Sequence, residues 1–366
     1  MHKKRKLLSL LLGTLLLSTL TSCNRAPKTL NLTIYQPLPS LQAFVQQETF
    51  FTEIATIGFN TIMLNSTQFS REQLEQAVAL AHQANLFVII ELPYTPSLTQ
   101  QIHHWVRNHQ VDGIILDSTD NINDAERKEL QTLIKQSATL NQKEKQAWGT
   151  AGYLIGRSHQ TSWEFFTEAT FGHNGRRKEM QIFLNTLGQQ SLEQALITQN
   201  ESPQILIHFH NLRSLYGERA QAITTTPPSI IANTPKSAPL LWFIGTLPQP
   251  FHYTGMLHPQ DDRLLQQELP TILKIRQQEP LLQRAKLMLL GHSTTIYSDV
   301  LYQGNQQMVR VFNFGDDHSI LNLAVVSNVV RGKRLIDVMT GEEIPRINRG
   351  FRIPIDGGAS RLFYVR

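Results

Sequence analysis

Over the first three quarters of this chain, short apolar runs alternate with amphipathic stretches. LNLTIY (30–35), GFNTIML (58–64), LFVIIEL (86–92), VDGIILD (111–117), AGYLIG (151–156) and QILIHFH (204–210) are each long enough for one buried strand. Between them, REQLEQAVALAHQAN (71–85) places Leu74, Ala77, Val78 and Ala81 on one helical face. TQQIHHWVRNHQ (99–110) and DAERKELQTLIKQSATL (124–140) also read as helices, the second opening on a cap at Asp124. A further helix over 264–278 contains Pro270, where a kink or break is expected. Strands alternating with helices imply a parallel sheet with right-handed crossovers. Periodicity alone does not separate a closed barrel from an open sheet, and no glycine-rich dinucleotide fingerprint follows the first strand.

From about residue 286 the period changes. TTIYSDVLYQ, QMVRVFNFG, ILNLAVVS, RLIDVMTG and RLFYVR are short strand-like runs parted by Gly, Asn and Asp turns. They predict a small antiparallel β-sandwich over 286–366, after a larger α/β body over 30–285. The Pro/Thr-rich stretch 224–239 lacks a period and reads as a surface loop.

The first residues change the charge argument. Lys3, Lys4, Arg5 and Lys6 precede an apolar run from Leu7 to Leu17, a signal-peptide pattern too short for a transmembrane helix. Leu20-Thr21-Ser22-Cys23 resembles a bacterial lipobox, which implies a signal peptide over 1–22 and an acylated Cys23. Residues 23–29 then form the lipidated cysteine and a short linker. Cys23 is the only cysteine, so the chain cannot form an internal disulfide. By resemblance to enterobacterial lipoproteins, Asn24 after it favours the periplasmic face of the outer membrane. The formal charge of +5 includes the four basic residues of the signal segment, leaving +1 for the mature chain. With no basic cluster interleaved with aromatics, nucleic-acid binding is not expected.

The order of these elements resembles the α-amylase family of glycoside hydrolases from about residue 40 to the C-terminus. GFNTIML resembles that family's second barrel strand. AHQANLFVIIELPYTP resembles the following helix and third strand, and VDGIILDS the fourth. YLIGR resembles the fifth strand, ILIHFHN the seventh, and LPQPFHYTGM the eighth-strand region. IRQQEPLLQRAKLMLL resembles the last barrel helix running into the C-terminal β-domain. The resemblance implies a (β/α)8 TIM-type barrel followed by a small antiparallel sandwich.

The departures bear directly on chemistry. Retaining glycoside hydrolysis needs two carboxyl groups about 5 Å apart, one nucleophilic and one able to donate a proton. By the resemblance, Asp117 matches the nucleophile and Arg157 replaces the acid/base. Asn211 replaces the orienting acid, while His210 matches the family histidine. The arginine expected two residues before the nucleophile is Ile115. Arg157 has no proton to exchange near neutral pH. On strand three the family's Asp, Asn and His positions read Glu91, Tyr94 and Thr95, and the insert that follows, which helps hold calcium, is missing. Glu91, or Glu164 on a later loop, is a candidate relocated acid. The expected alternative for Asp117 is an ion pair with Arg157.

Tyr94, Trp163, Phe165, His252 and Tyr253 are candidates for stacking on sugar faces, each also suited to core packing. His208 and His210 would share one strand face and suggest a metal, but no spacing supplies further ligands, so neither a metal nor another cofactor is expected. His103 and His104 read as a solvated helix face. Three classes of function follow: a non-catalytic lipoprotein binding glycan or an envelope protein, an active glycosidase or transglycosidase, and a metal-dependent hydrolase. The first is the expected one.

Overall fold

Eight strands pair in chain order and close on themselves. The computed structural model describes residues 32–117, 153–156, 182–184, 203, 206, 221–225, 236–255, 267–324 and 329–366. The barrel strands are β1 (Thr33–Pro37), β2 (Thr61–Asn65), β3 (Phe87–Leu92), β4 (Gly113–Leu116), β5 (Tyr153–Gly156), β6 (Ile182–Leu184), β7 (Gln221–Thr225) and β8 (Phe251–Gly255). Neighbouring strands are parallel, and β8 returns to β1 with His252 opposite Ile34. Parallel neighbours require crossovers, and the described helices include α1 (Glu48–Ile57), α2 (Arg71–Gln83), α3 (Leu98–His103) and α4 (Ser237–Gly245), with α5 (Leu269–Gln278) and α6 (Leu281–Arg284) after β8.

Local signals account for the helix ends. Ser70 Oγ accepts from the Gln73 backbone N–H while Gln73 Oε1 accepts from the Ser70 N–H, a reciprocal capping box at the start of α2. Its buried face is Leu74, Ala77, Val78 and Ala81, as the spacing predicts. Ser70→Ala removes one half of the box and should lower stability by about 0.5–2 kcal/mol in a denaturant melt. At the end of α1, Gly58 adopts φ 113°, and a Cβ there would lie 3.1 Å from Leu273 Cβ. Both the backbone angle and the packing of α5 therefore require glycine.

Alternation along each strand separates two environments. Tyr35, Ile62, Leu64, Val88, Ile90, Ile114, Leu116, Phe251 and Tyr253 belong to the core shared with the helices. Ile34, Met63, Ile89 and Ile115 fall on the alternate positions, also buried, and fill the barrel interior.

The last part of the chain folds into two antiparallel sheets. β9 (Lys286–His292), β10 (Ile296–Gln303), β11 (Gln306–Asn313), β13 (Arg334–Asp337), β14 (Glu343–Pro345) and β16 (Ser360–Val365) make a six-stranded sheet ordered β14-β13-β16-β11-β10-β9. β12 (Ser319–Ala324) and β15 (Gly350–Ile355) make a two-stranded one. Val300, Val309 and Val311 of the larger sheet share one core with Leu323, Phe351, Ile353 and Ile355 of the smaller. The opposite face of the larger sheet sends Tyr297, Leu301, Met308 and Phe312 into the barrel's helix core. Arg276 of α5, fully buried, donates to the carbonyls of Gly245, Leu247 and Gln249 and staples α5 to the turn before β8. Burial and the charge of Arg310 push its pKa down to about 9.

The structure revises several of these expectations. Leu206, inside the run expected as the seventh strand, is helical and buried, and the strand that pairs with β8 is Gln221–Thr225. A short apolar run serves equally as a buried helix turn, and length alone did not arbitrate. In the helix expected over 264–278, the described part changes from π-helical at 267–268 to α5 at Leu269, and Pro270 stands in the first turn of α5. The loop expected over 224–239 contains the end of β7 and the start of α4. The helix expected over 99–110 is α3 followed by a π-helical turn at His104–Asn108. The helix expected over 124–140 lies outside the described residues.

Candidate functional site

The C-terminal ends of β2, β3 and β4 bring Asn65, Glu91 and Asp117 to one mouth of the barrel. This is the end at which parallel barrels carry their sites. Register fixes the arrangement: Asn65 lies opposite Glu91, and Glu91 opposite Ile115. Asp117 follows β4 by one residue, and its backbone N–H donates to the Leu92 carbonyl at 3.1 Å. Asp117 and Ile115 are two residues apart and so share the inner face of the barrel.

Glu91 is 2% exposed, although it is an acid at a strand end. Its Oε2 accepts from Asn65 Nδ2 at 3.0 Å. Asn65 is itself oriented: its Oδ1 accepts from the Thr67 backbone N–H at 2.9 Å and the Thr67 hydroxyl at 2.7 Å. With the carbonyl end committed to the turn after β2, the amide end must face Glu91. Glu91 is therefore held in place by a neighbouring strand, and the sequence pattern gave no reason to single out Asn65. A polar residue closing the apolar run TIML was the available signal.

The wall beneath is apolar. Ile115 is fully buried, at the inner position two residues before Asp117. A hydrocarbon side chain donates no hydrogen bond, so the support that an arginine there would give a strand-four carboxylate is absent. His252 is also buried on the inner face of β8, beside Ile34. Above it, Thr254 Oγ1 donates to Gln36 Oε1 at 3.4 Å.

Asp112, the other carboxylate of VDGIILD, lies before β4, at the opposite end of that strand. Its Oδ2 accepts from the Val88 backbone N–H at 2.9 Å and contacts His82 Nε2 at 3.1 Å. It ties β3, β4 and the end of α2 together and takes no part in the mouth.

Of the other candidates, Tyr94 is half-buried against the helix core just past β3. Tyr253 lies on the outer face of β8, 1% exposed, stacked on Tyr35 with ring centroids 6.3 Å apart. Burial, with Tyr253 alongside, pushes the Tyr35 hydroxyl pKa upward, as expected of a ring inside a core. Tyr253 is thus placed in the helix core and away from the mouth. Cys23, Arg157, Trp163, Glu164, Phe165, His208, His210 and Asn211 lie outside the described residues, and so does the expected pairing of Arg157 with Asp117. Only one residue separates Pro96 from Leu98, the first residue of α3, so β3 leads directly to its helix with no inserted domain.

Comparison with solved structures identifies the fold. The chain superposes on AmyP bound to maltose with a TM-score of 0.74 at 14% identity, covering 91% of this chain and 96% of that one. The α-amylase of Geobacillus thermoleovorans complexed with acarbose gives a TM-score of 0.73 at 12% identity, covering 93% and 99%. The debranching enzyme of Nostoc punctiforme soaked with acarbose gives 0.65 at 11% identity, covering 91% and 98%. No protein-family model matches the sequence, and no curated protein matches it. The chain has an α-amylase-like fold.

Proposed function

We propose that this chain is a lipid-anchored envelope protein whose (β/α)8-type barrel, followed by a small β-sandwich, binds carbohydrate at its mouth without cleaving it. One observation carries the reading. The inner position two residues before Asp117 is the fully buried Ile115, which offers a strand-four carboxylate no donor. Arg157 stands where the resemblance places the proton donor, and a guanidinium has no proton to give near neutral pH. General acid–base help is worth roughly 10²–10⁴-fold in rate, so its loss alone removes most of the chemistry. What remains at the mouth is a fixed polar set, Asn65, Glu91 and Asp117, suited to accepting and donating hydrogen bonds to sugar hydroxyls. Proteins of similar fold hold maltose and acarbose, which makes short α-glucans the first ligands to test.

A second reading, an active glycosidase with a relocated acid, is favoured by Glu91. It is a buried carboxyl at the end of the strand next to Asp117.

The two readings separate in one pair of measurements. Purified protein should release no reducing sugar from α-1,4- or α-1,6-glucans. It should bind maltooligosaccharides in calorimetry, with affinity lost in Asp117→Ala. Turnover that disappears in Asp117→Asn and Glu91→Gln would replace the binding reading with the glycosidase. Absence of both binding and turnover would refute carbohydrate as the ligand and leave a protein partner.

A further inference from the structure

On the outer wall of the barrel, three side chains from two elements converge on one point. Glu75 lies in the second turn of α2, His104 opens the π-helical turn after α3, and His109 follows that turn. Glu75 Oε1 lies 3.1 Å from His104 Nε2 and 3.4 Å from His109 Nε2. The three candidate ligand atoms all fall within 4.8 Å of one another.

Backbone geometry makes this convergence. In an α-helix, residues five apart point about 140° away from each other. The wider π turn at His104–Asn108 brings His104 and His109 onto one side, with ring centroids 4.6 Å apart. Gln110, at φ 53°, then turns the chain out of the helix, and the Val111 N–H closes on the Trp105 carbonyl at 3.3 Å. A non-glycine residue in that region costs about 1–2 kcal/mol. Trp105, 5% exposed, packs its ring 4.9 Å from His104 and 5.2 Å from His109. Both imidazoles are therefore preset and backed by a rigid aromatic wall.

We propose that Glu75, His104 and His109 bind a divalent transition-metal ion of the zinc class. Two imidazoles and one carboxylate are a recognised donor set for that class, leaving a fourth position for water. Ligand bonds of about 2.0–2.1 Å to a tetrahedral ion put donor atoms roughly 3.3 Å apart, close to the two Glu75–histidine gaps observed.

Arg71 is the competitor. Its Nε donates to Glu75 Oε1 at 2.9 Å and its Nη2 lies 3.1 Å from His104 Nδ1. With Nδ1 accepting from a guanidinium, His104 carries its proton on Nε2, the atom that must face the metal. Binding then requires Arg71, a largely exposed side chain, to swing into solvent and the His104 proton to pass to Nδ1. The Asn108 side-chain amide is 3.2 Å from Nδ1 and, with its oxygen turned inward, accepts that proton's hydrogen bond. The ion would link α2 to the end of the following helix.

Chelator-stripped, untagged full-length protein in detergent is titrated with Co²⁺, read by visible absorption and by quenching of Trp105 fluorescence, then with Zn²⁺ in competition. One equivalent should bind, Zn²⁺ should displace Co²⁺, and Zn²⁺ should raise the melting temperature. His104→Ala and His109→Ala should each weaken binding more than about tenfold. Arg71→Ala should tighten it, which a simple ion-pair network does not predict. Absence of a stoichiometric Co²⁺ complex in the wild-type protein overturns the proposal without recourse to any variant. Undiminished binding in the His104→Ala/His109→Ala protein also overturns it, by placing the ion elsewhere.

Discussion

Arg310→Met will cost about 3–5 kcal/mol of stability, the penalty of leaving a buried carboxylate without its partner. Arg310 and Asp299 face each other directly across β10 and β11, and both side chains are wholly buried. Two parallel bonds join them, Nε to Oδ1 at 2.7 Å and Nη2 to Oδ2 at 2.6 Å. The remaining Arg310 nitrogen, Nη1, leaves the sheet and donates to the Thr246 hydroxyl at 2.9 Å and the Phe243 carbonyl at 3.2 Å, at the end of α4. The guanidinium also sits 5.4 Å from the ring centroids of both Phe243 and Phe312. The residue therefore fastens the six-stranded sheet to a barrel helix as well as neutralising Asp299. Adding Asp299→Leu should recover part of the loss, because an apolar pair of similar volume is often tolerated where half a pair is not. Denaturant melts of both single variants and the double variant give the coupling. A cost below about 1 kcal/mol for Arg310→Met would mean that water reaches the site and screens the charge.

Where the sequence carried a strong period or a cap, it indicated the structure well. β3 and β4 lie within their predicted runs, β2 passes the end of its run by one residue at Asn65, and α2 starts at Arg71, the first residue of its predicted stretch. Elements without a period escaped. In α4, SAPLLWFIG is apolar on every side after Ser237 and buried at every residue but Ala238, so no face distinguishes it, and it follows proline-rich sequence. ILIHFHN was the reverse case, an apolar run that pattern reading made a strand and the fold makes helical at Leu206. The mouth was half legible. Glu91 and Asp117 stand out as carboxylates closing buried runs, whereas the role of Asn65 depends on a turn and on strand register, which only the fold supplies. Tyr253 was misleading for a related reason: on a strand, a one-residue offset exchanges the barrel interior for the helix core. His104 and His109 are five apart, a spacing that means nothing on an α-helix and becomes a shared site only through a π turn.

Cys23→Ser should move the protein from the membrane fraction to the soluble fraction. The argument is one of partition energies. Each buried acyl methylene contributes about 0.8 kcal/mol, so one chain holds a protein only marginally, while several chains hold it stably. The fold offers no substitute anchor of the helical kind: among the described residues, no helix is long and apolar enough to cross a membrane. The large apolar residues left exposed there, Met288, Ile320, Met339 and Ile347, lie on different segments and are singly ordinary. Membrane attachment in the proposed reading therefore rests on the single thiol of the chain. The measurement is fractionation of processed protein, with signal removal verified by mass, together with incorporation of labelled fatty acid. Wild-type protein should be labelled and sediment with membranes; the serine variant should be neither. Serine-variant protein that is processed and still sediments would refute the lipid anchor, and the barrel mouth would then have to be considered without a membrane beside it.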